Sequence, residues 1–257
     1  MFSHFSIGRK ISLGFAVVII STISAFYFTN DTFIESQKIN EEITNNHNPS
    51  IAKLEELKLM IVRSKMLINN WVYQETAAEN EDKVALNKLT NTEYPELKFE
   101  LVTISQSWTD QGAKSDLDTL FLSVEELWNS HAQIKDLLTG VESYNEAMNT
   151  VISEDLVAEG GEIYYMTDEI LTMLNGLIIT KKETTEDITA EMIGQFQFLR
   201  ALIQGLGFGI PLAGILIAFL TTRTIVSPVR KLRLILLDLS KGIFPKHWVA
   251  TRGDEIG

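Results

Sequence analysis

Four histidines, His4, His47, His131 and His247, are the side chains best suited to proton, phosphoryl or metal chemistry near neutral pH. None is followed by the Glu-x-x-Arg/Lys surroundings of a phosphoacceptor histidine, and no cluster has metal-ligand spacing. Cysteine is absent, which removes thiolate chemistry and disulfides together. Gly205, Gly207, Gly209 and Gly214 lie in an uncharged apolar run, where small residues let helices approach and a phosphate-binding loop has no place. A nucleophile elbow and a basic nucleic-acid face are also lacking. The expectation is a chain with no catalytic residue, metal, cofactor or nucleic-acid partner.

Binding chemistry has a few more candidates. Arg63, with Lys65 nearby, is the most basic point of the first helical stretch and the first place to look for an anionic ligand, although a salt-bridged surface arginine fits the same residues. Trp71, Trp108 and Trp128 could form an aromatic cage, but large aromatics at helical spacing read first as core. His131 and Asn145 interrupt an apolar seam, where single polar residues fix register or subunit pairing.

The elements that hold these residues follow from charge and period. Residues 11–30 and 201–222 contain no charged side chain. Each run of about 20 residues spans ~30 Å as a helix, the thickness of a bilayer's hydrocarbon core. Residues 31–199 carry 31 Asp/Glu against 12 Lys/Arg, whereas the rest of the chain carries 3 against 10. Arg9 and Lys10 precede the first run, and Arg223, Arg230, Lys231 and Arg233 follow the second, so the positive-inside rule predicts both termini in the cytoplasm and residues 31–200 outside. The first run reads as a span and not a cleaved signal, because it is long and ends in the bulky Phe26-Tyr27-Phe28.

Within residues 31–200 the apolar period is helical. Leu54, Leu57, Ile61, Ser64, Ile68 and Trp71 step by three and four, as do Tyr94, Leu97, Leu101, Ile104 and Trp108. A third seam runs Leu117, Leu120, Val124, Leu127, His131, Ile134, Leu138, Val141, Asn145, Met148, Ile152, which predicts one helix of about five heptads. Breaks fall near Thr76 to Asp82, at Asp110-Gln111-Gly112 and around Ser153 to Gly161. Four helices of about 35 to 45 residues in an up-down-up-down bundle are expected, with Pro49 kinking the first.

The segment after the second run, 223–257, has its own pattern. Pro228 is followed by Val229, Leu232, Leu236 and Leu239, a coiled-coil stripe that a lone short helix leaves unburied, and Gly242 is placed to end the helix. Phe244 and Trp248 or Val249 sit in a connector, and Asp254-Glu255-Ile256-Gly257 follows. This spacing resembles the start of a HAMP relay domain, in which a proline opens the first helix, apolar positions and a glycine follow at these offsets, and a DEIG sequence heads the second helix. Pro245 departs from many members. Residues 31–199 are more loosely similar to the four-helix sensor domains of chemoreceptors and sensor kinases.

The resemblance implies an all-α bacterial inner-membrane receptor. Its parts would be a cytoplasmic N-terminus (1–10), a first span (11–30), an extracytoplasmic sensor domain (31–200), a second span (201–222) and a parallel coiled-coil HAMP module (223–257). Pro228, Val229, Leu232, Leu236, Leu239, Gly242, Asp254, Glu255, Ile256 and Gly257 would relay the signal. The implied partners are a second copy of the chain, membrane lipid, and a ligand or binding protein outside. The sequence stops at the first turn of the second HAMP helix, so an output module is expected to lie beyond it: a histidine kinase first, a chemoreceptor hairpin second, a phosphatase or cyclase third. A membrane-tethered structural bundle is the rival of another class.

Overall fold

The computed structural model describes residues 7–242, and every regular element among them is helical. The elements are α1 (Ile7–Glu42), α2 (Asn48–Tyr73), α3 (Glu81–Lys88), α4 (Tyr94–Ser105), α5 (Gln111–Leu137), α6 (Ala147–Val157), α7 (Glu162–Thr221) and α8 (Ser227–Ser240). A 3-10 turn, Val141–Asn145, stands between α5 and α6.

Three π-turns join consecutive helices, and all three sit in the same register before a proline. Ile43–His47 precedes Pro49, Leu89–Glu93 precedes Pro95, and Thr222–Val226 precedes Pro228. In each, the residue just before the proline donates its N–H five residues back: Asn48 to Ile43, Tyr94 to Leu89, Ser227 to Thr222. Proline has no N–H to give, and its ring clashes with the carbonyl four residues earlier, so widening the preceding turn keeps the helix running. Pro49 therefore follows a π-turn where a kink is expected, and Pro228 stands in the first turn of α8, directly after the third π-turn.

Contacts divide the chain into two units, one of residues up to Gln37 with those from Glu191 onward, the other Lys38–Ala190. Two helical stretches, Ile11–Tyr73 and Ala147–Ser240, are long and apolar enough to cross a membrane, and none of the most apolar window of either is buried. Gly14 lies so near α7 that a Cβ there would come within 3.0 Å of Ile217, which is the use of a small residue between close helices. The hydroxyls of Thr22, Thr29 and Thr222 donate to carbonyls four residues back, at 2.9, 2.8 and 2.8 Å, so these polar groups are satisfied within their own helices.

The second unit is built around one core. Leu54, Leu57, Ile61 and Ile68 come from α2, Leu86 from α3, Leu97 and Leu101 from α4, Leu117, Leu120, Val124 and Leu127 from α5, and Ile163, Ile170 and Leu174 from α7, all buried in one cluster. The chain reverses at short connections. Asp110 caps α5, its carboxylate accepting from the N–H groups of Gly112 and Ala113 at 2.8 and 3.2 Å. Between α6 and α7 the turn needs glycine twice: Gly160 has φ +92°, and a Cβ on Gly161 would stand 2.2 Å from the Asp155 carbonyl.

Helix α5, which carries the third apolar seam, is shorter than that seam predicts. It ends at Leu137, and the chain turns back through Val141–Asn145 into α6. The Leu137 carbonyl accepts from Asn149 Nδ2 at 3.3 Å, and the Leu138 carbonyl from Trp71 Nε1 at 3.0 Å. These tertiary donors take up terminal carbonyls that continued helix would have used. The expected seam is buried from Leu117 to Leu138, while Val141, Asn145, Met148 and Ile152 are exposed.

Candidate functional site

Two clusters at opposite ends of the Lys38–Ala190 unit hold its buried lysines, Lys83 and Lys181. The first is built by the C-terminus of α2, the N-terminus of α3 and the 3-10 turn. Trp71 is its centre: the indole N–H donates to Leu138, and the Trp71 carbonyl accepts from the Tyr144 hydroxyl. Lys83 is fully buried, with Nζ donating to the Thr76 carbonyl at 2.7 Å and lying 5.0 Å from the centroids of both Trp71 and Tyr144. Lys135 Nζ is 5.9 Å from the same indole and donates to Thr90 Oγ1 at 3.2 Å. Burial holds both ammonium groups below the ordinary lysine range. It also pushes Tyr144 up to about 12, with the charge of Glu75 adding to the effect.

The second cluster lies where the π-turn Ile43–His47, the α4–α5 turn and α7 meet. Trp108 donates its indole N–H to Ser50 Oγ at 2.8 Å, and Ser50 donates to the Asn46 carbonyl at 2.6 Å. Lys181 Nζ stands 3.6 Å above the Trp108 ring, a cation–π contact inside the fold. Burial lowers the Lys181 pKa, with Asp110 opposing and Lys114 reinforcing that shift.

Between the clusters lies a row of three rings in contact. Tyr94 meets Trp128 edge-on at 5.5 Å, and Trp128 lies 5.3 Å from His131. His131 is fully buried with both ring nitrogens unpartnered; burial, and then the charge of Lys135, depress its pKa to about 3, so it is neutral. Tyr94 is pushed above the ordinary tyrosine range by burial and by Glu125.

The residues singled out from sequence fall as follows. Arg63 is exposed and pairs with Glu93 at 3.4 Å, a carboxylate that Lys88 also reaches at 3.1 Å. Trp71 and Trp108 are core, and the cations on their faces are the chain's own lysines. Asn145 is exposed in the 3-10 turn that follows the helix holding His131, not on that helix. In α8, Pro228 is buried, Leu232 and Leu239 are half-buried, and Val229 and Leu236 are 49% and 65% exposed. Gly242 has φ +77°, just past the helix end at Ser240. Asp254, Glu255, Ile256 and Gly257, with Phe244, Pro245, His247, Trp248 and Val249, lie outside the described residues.

Lys83 and Lys181 are the buried groups that sequence reasoning missed. The signal was there: Lys181 continues the steps of Leu174 and Leu177, and Lys83 leads into Leu86 and Leu89. Among the described residues no group of three or more His, Cys, Asp or Glu side chains could hold a metal ion. Comparison with models of known protein families, with curated proteins and with solved structures yields no match to the chain.

Proposed function

We propose that the chain is the sensing and membrane-crossing part of a homodimeric signal transducer in a bacterial inner membrane. In this reading, residues 11–30 and 201–222 span the bilayer with both termini in the cytoplasm. Residues 31–200 form an up-down four-helix sensor bundle outside, and 223–257 begin a HAMP relay. The observation that carries the reading is α7: one helix, Glu162–Thr221, supplies Ile163, Ile170 and Leu174 to a packed core and also contains residues 201–221 of the uncharged run. A stimulus that shifts this helix has a mechanical route to α8.

The stripe on α8 supports the relay. Val229 and Leu236 are seven residues apart on one helix face and exposed in the single chain, the pattern of a seam that a second copy covers. Coupling further requires two states that the stimulus stabilises unequally. The output is expected to be a histidine kinase joined after the second HAMP helix.

Leu232→Glu or Leu236→Glu in the full-length protein tests the proposal. Signalling is expected to lock or vanish while membrane insertion is retained, and a variant that responds normally would contradict it.

A further inference from the structure

Within the Lys38–Ala190 unit, the elements at one end meet on a single side chain, Trp108. Its ring is buried between α2 and α7, and the residue itself belongs to the turn that joins α4 to α5. The indole N–H donates to Ser50 Oγ at 2.8 Å, Ser50 donates to the Asn46 carbonyl at 2.6 Å, and Asn46 Nδ2 donates to the Ser107 carbonyl at 3.3 Å. On the other side, Lys181 of α7 rests its ammonium on the ring, 3.6 Å from the centroid. Lys181, Trp108, Ser50 and Asn46 thus form one chain of contacts from the last helix to the first.

The far end of that chain is the π-turn Ile43–His47. Asn46 Oδ1 and His47 Nε2 are both buried without a hydrogen-bond partner. His47 Nε2 comes to 3.5 Å from Glu42 Oε1, an ion-pair distance between residues five apart, which the wide turn brings together. A π-turn also has a discrete alternative. Drawn in toward α-helical spacing, against the clash that the Pro49 ring would then make, it would turn the residues just before it by roughly 100° and shift them by about 1.5 Å relative to α2. Pro49 and the bond from Ser50 to Asn46 hold the wide form.

We infer that Trp108 is a coupling joint: a displacement of α7 that draws Lys181 off the indole face is passed through Ser50 and Asn46 to the π-turn Ile43–His47, which then changes its helical phase. The inference deepens the signalling proposal and rests on it for a role, but its test needs no output module, so the two fail separately.

Amide hydrogen exchange of the whole chain in lipid nanodiscs provides that test, comparing wild type with Lys181→Met, Trp108→Phe and Ser50→Ala. Lys182→Met serves as the control, because the neighbouring Lys182 pairs with Glu55 on the surface. Loss of one link should raise exchange of residues 43–50 by about 3- to 10-fold, the size of one net hydrogen bond. Amides around Trp71 and Tyr144, at the other end of the same unit, should stay at the wild-type rate, as should residues 43–50 in Lys182→Met. Should Trp108→Phe not fold, Lys181→Met and Ser50→Ala decide the matter. Faster exchange confined to α7 in Lys181→Met, or an equal rise throughout the unit, would overturn the joint.

Discussion

Leu89 and Tyr94 are both buried in the same core, although five residues separate them, a step that an α-helix would place on different faces. The π-turn Leu89–Glu93 closes the gap, so that Leu86 before it, Leu89 at its start, and Leu97 and Leu101 after it share one buried side. The turn is set by the phase of the core as much as by Pro95.

Deleting the exposed Thr92 together with Pro95→Ala should turn this stretch into a plain α-helix with the core phase preserved. The double change is expected to stay folded within about 1–2 kcal/mol of wild type, since it removes a wide turn and restores an ordinary four-residue step. Pro95→Ala alone should keep the wide turn. Denaturant unfolding with amide exchange over residues 86–97 checks both, and a double variant that unfolds would show that the extra residue is needed for more than phase.

His131 makes the unit acid-sensitive. Its folded pKa of about 3 lies below the ~6.5 of an unfolded histidine, so between these values the unfolded chain binds a proton that the native core refuses. Stability from this residue is therefore complete above that window and lost as pH falls through it, with a slope of up to about 1.4 kcal/mol per pH unit. His131→Leu should flatten the pH dependence of the urea midpoint between pH 6.5 and 4. The same acid loss in the variant would remove His131 from the account.

Lys83 is a charge buried without a carboxylate partner among its contacts, held by Thr76 and two aromatic faces. Lys83→Met keeps the length of the side chain and removes the buried charge, so no loss of stability is expected, and a gain of up to about 2 kcal/mol. Lys83→Ala leaves a cavity and should cost about 2 kcal/mol or more. Thermal melts of the two variants separate the effects. Equal destabilisation by Met and Ala would mean that the ammonium is a net stabiliser of the Trp71 cluster.

Much of this was legible in the sequence, and the failures have physical causes. The steps from Leu54 to Trp71 and from Leu117 to Ile134 mark buried faces because a helix core repeats every three or four residues. The continuation through Val141, Met148 and Ile152 misled, because period says nothing of where a chain reverses. What ends α5 is a tertiary event, the indole of Trp71 donating to Leu138 from 67 residues away. Buried lysines were hidden for a different reason: composition places Lys on solvated faces, and aromatic rings brought in by segments distant in sequence let Lys83 and Lys181 lie inside. The π-turns were half-visible, announced by proline and by the five-residue step before Tyr94.

The central claim is that paired copies of this chain carry a signal through the membrane on α7 and α8. Because the chain has no cysteine, single cysteines can be placed along α8 without background. Disulfide cross-linking of Val229→Cys, Leu232→Cys and Leu236→Cys in native membranes should give abundant dimers, with Arg230→Cys and Arg233→Cys giving few. Monomers at every position, or dimers formed equally well at all five, would contradict the account.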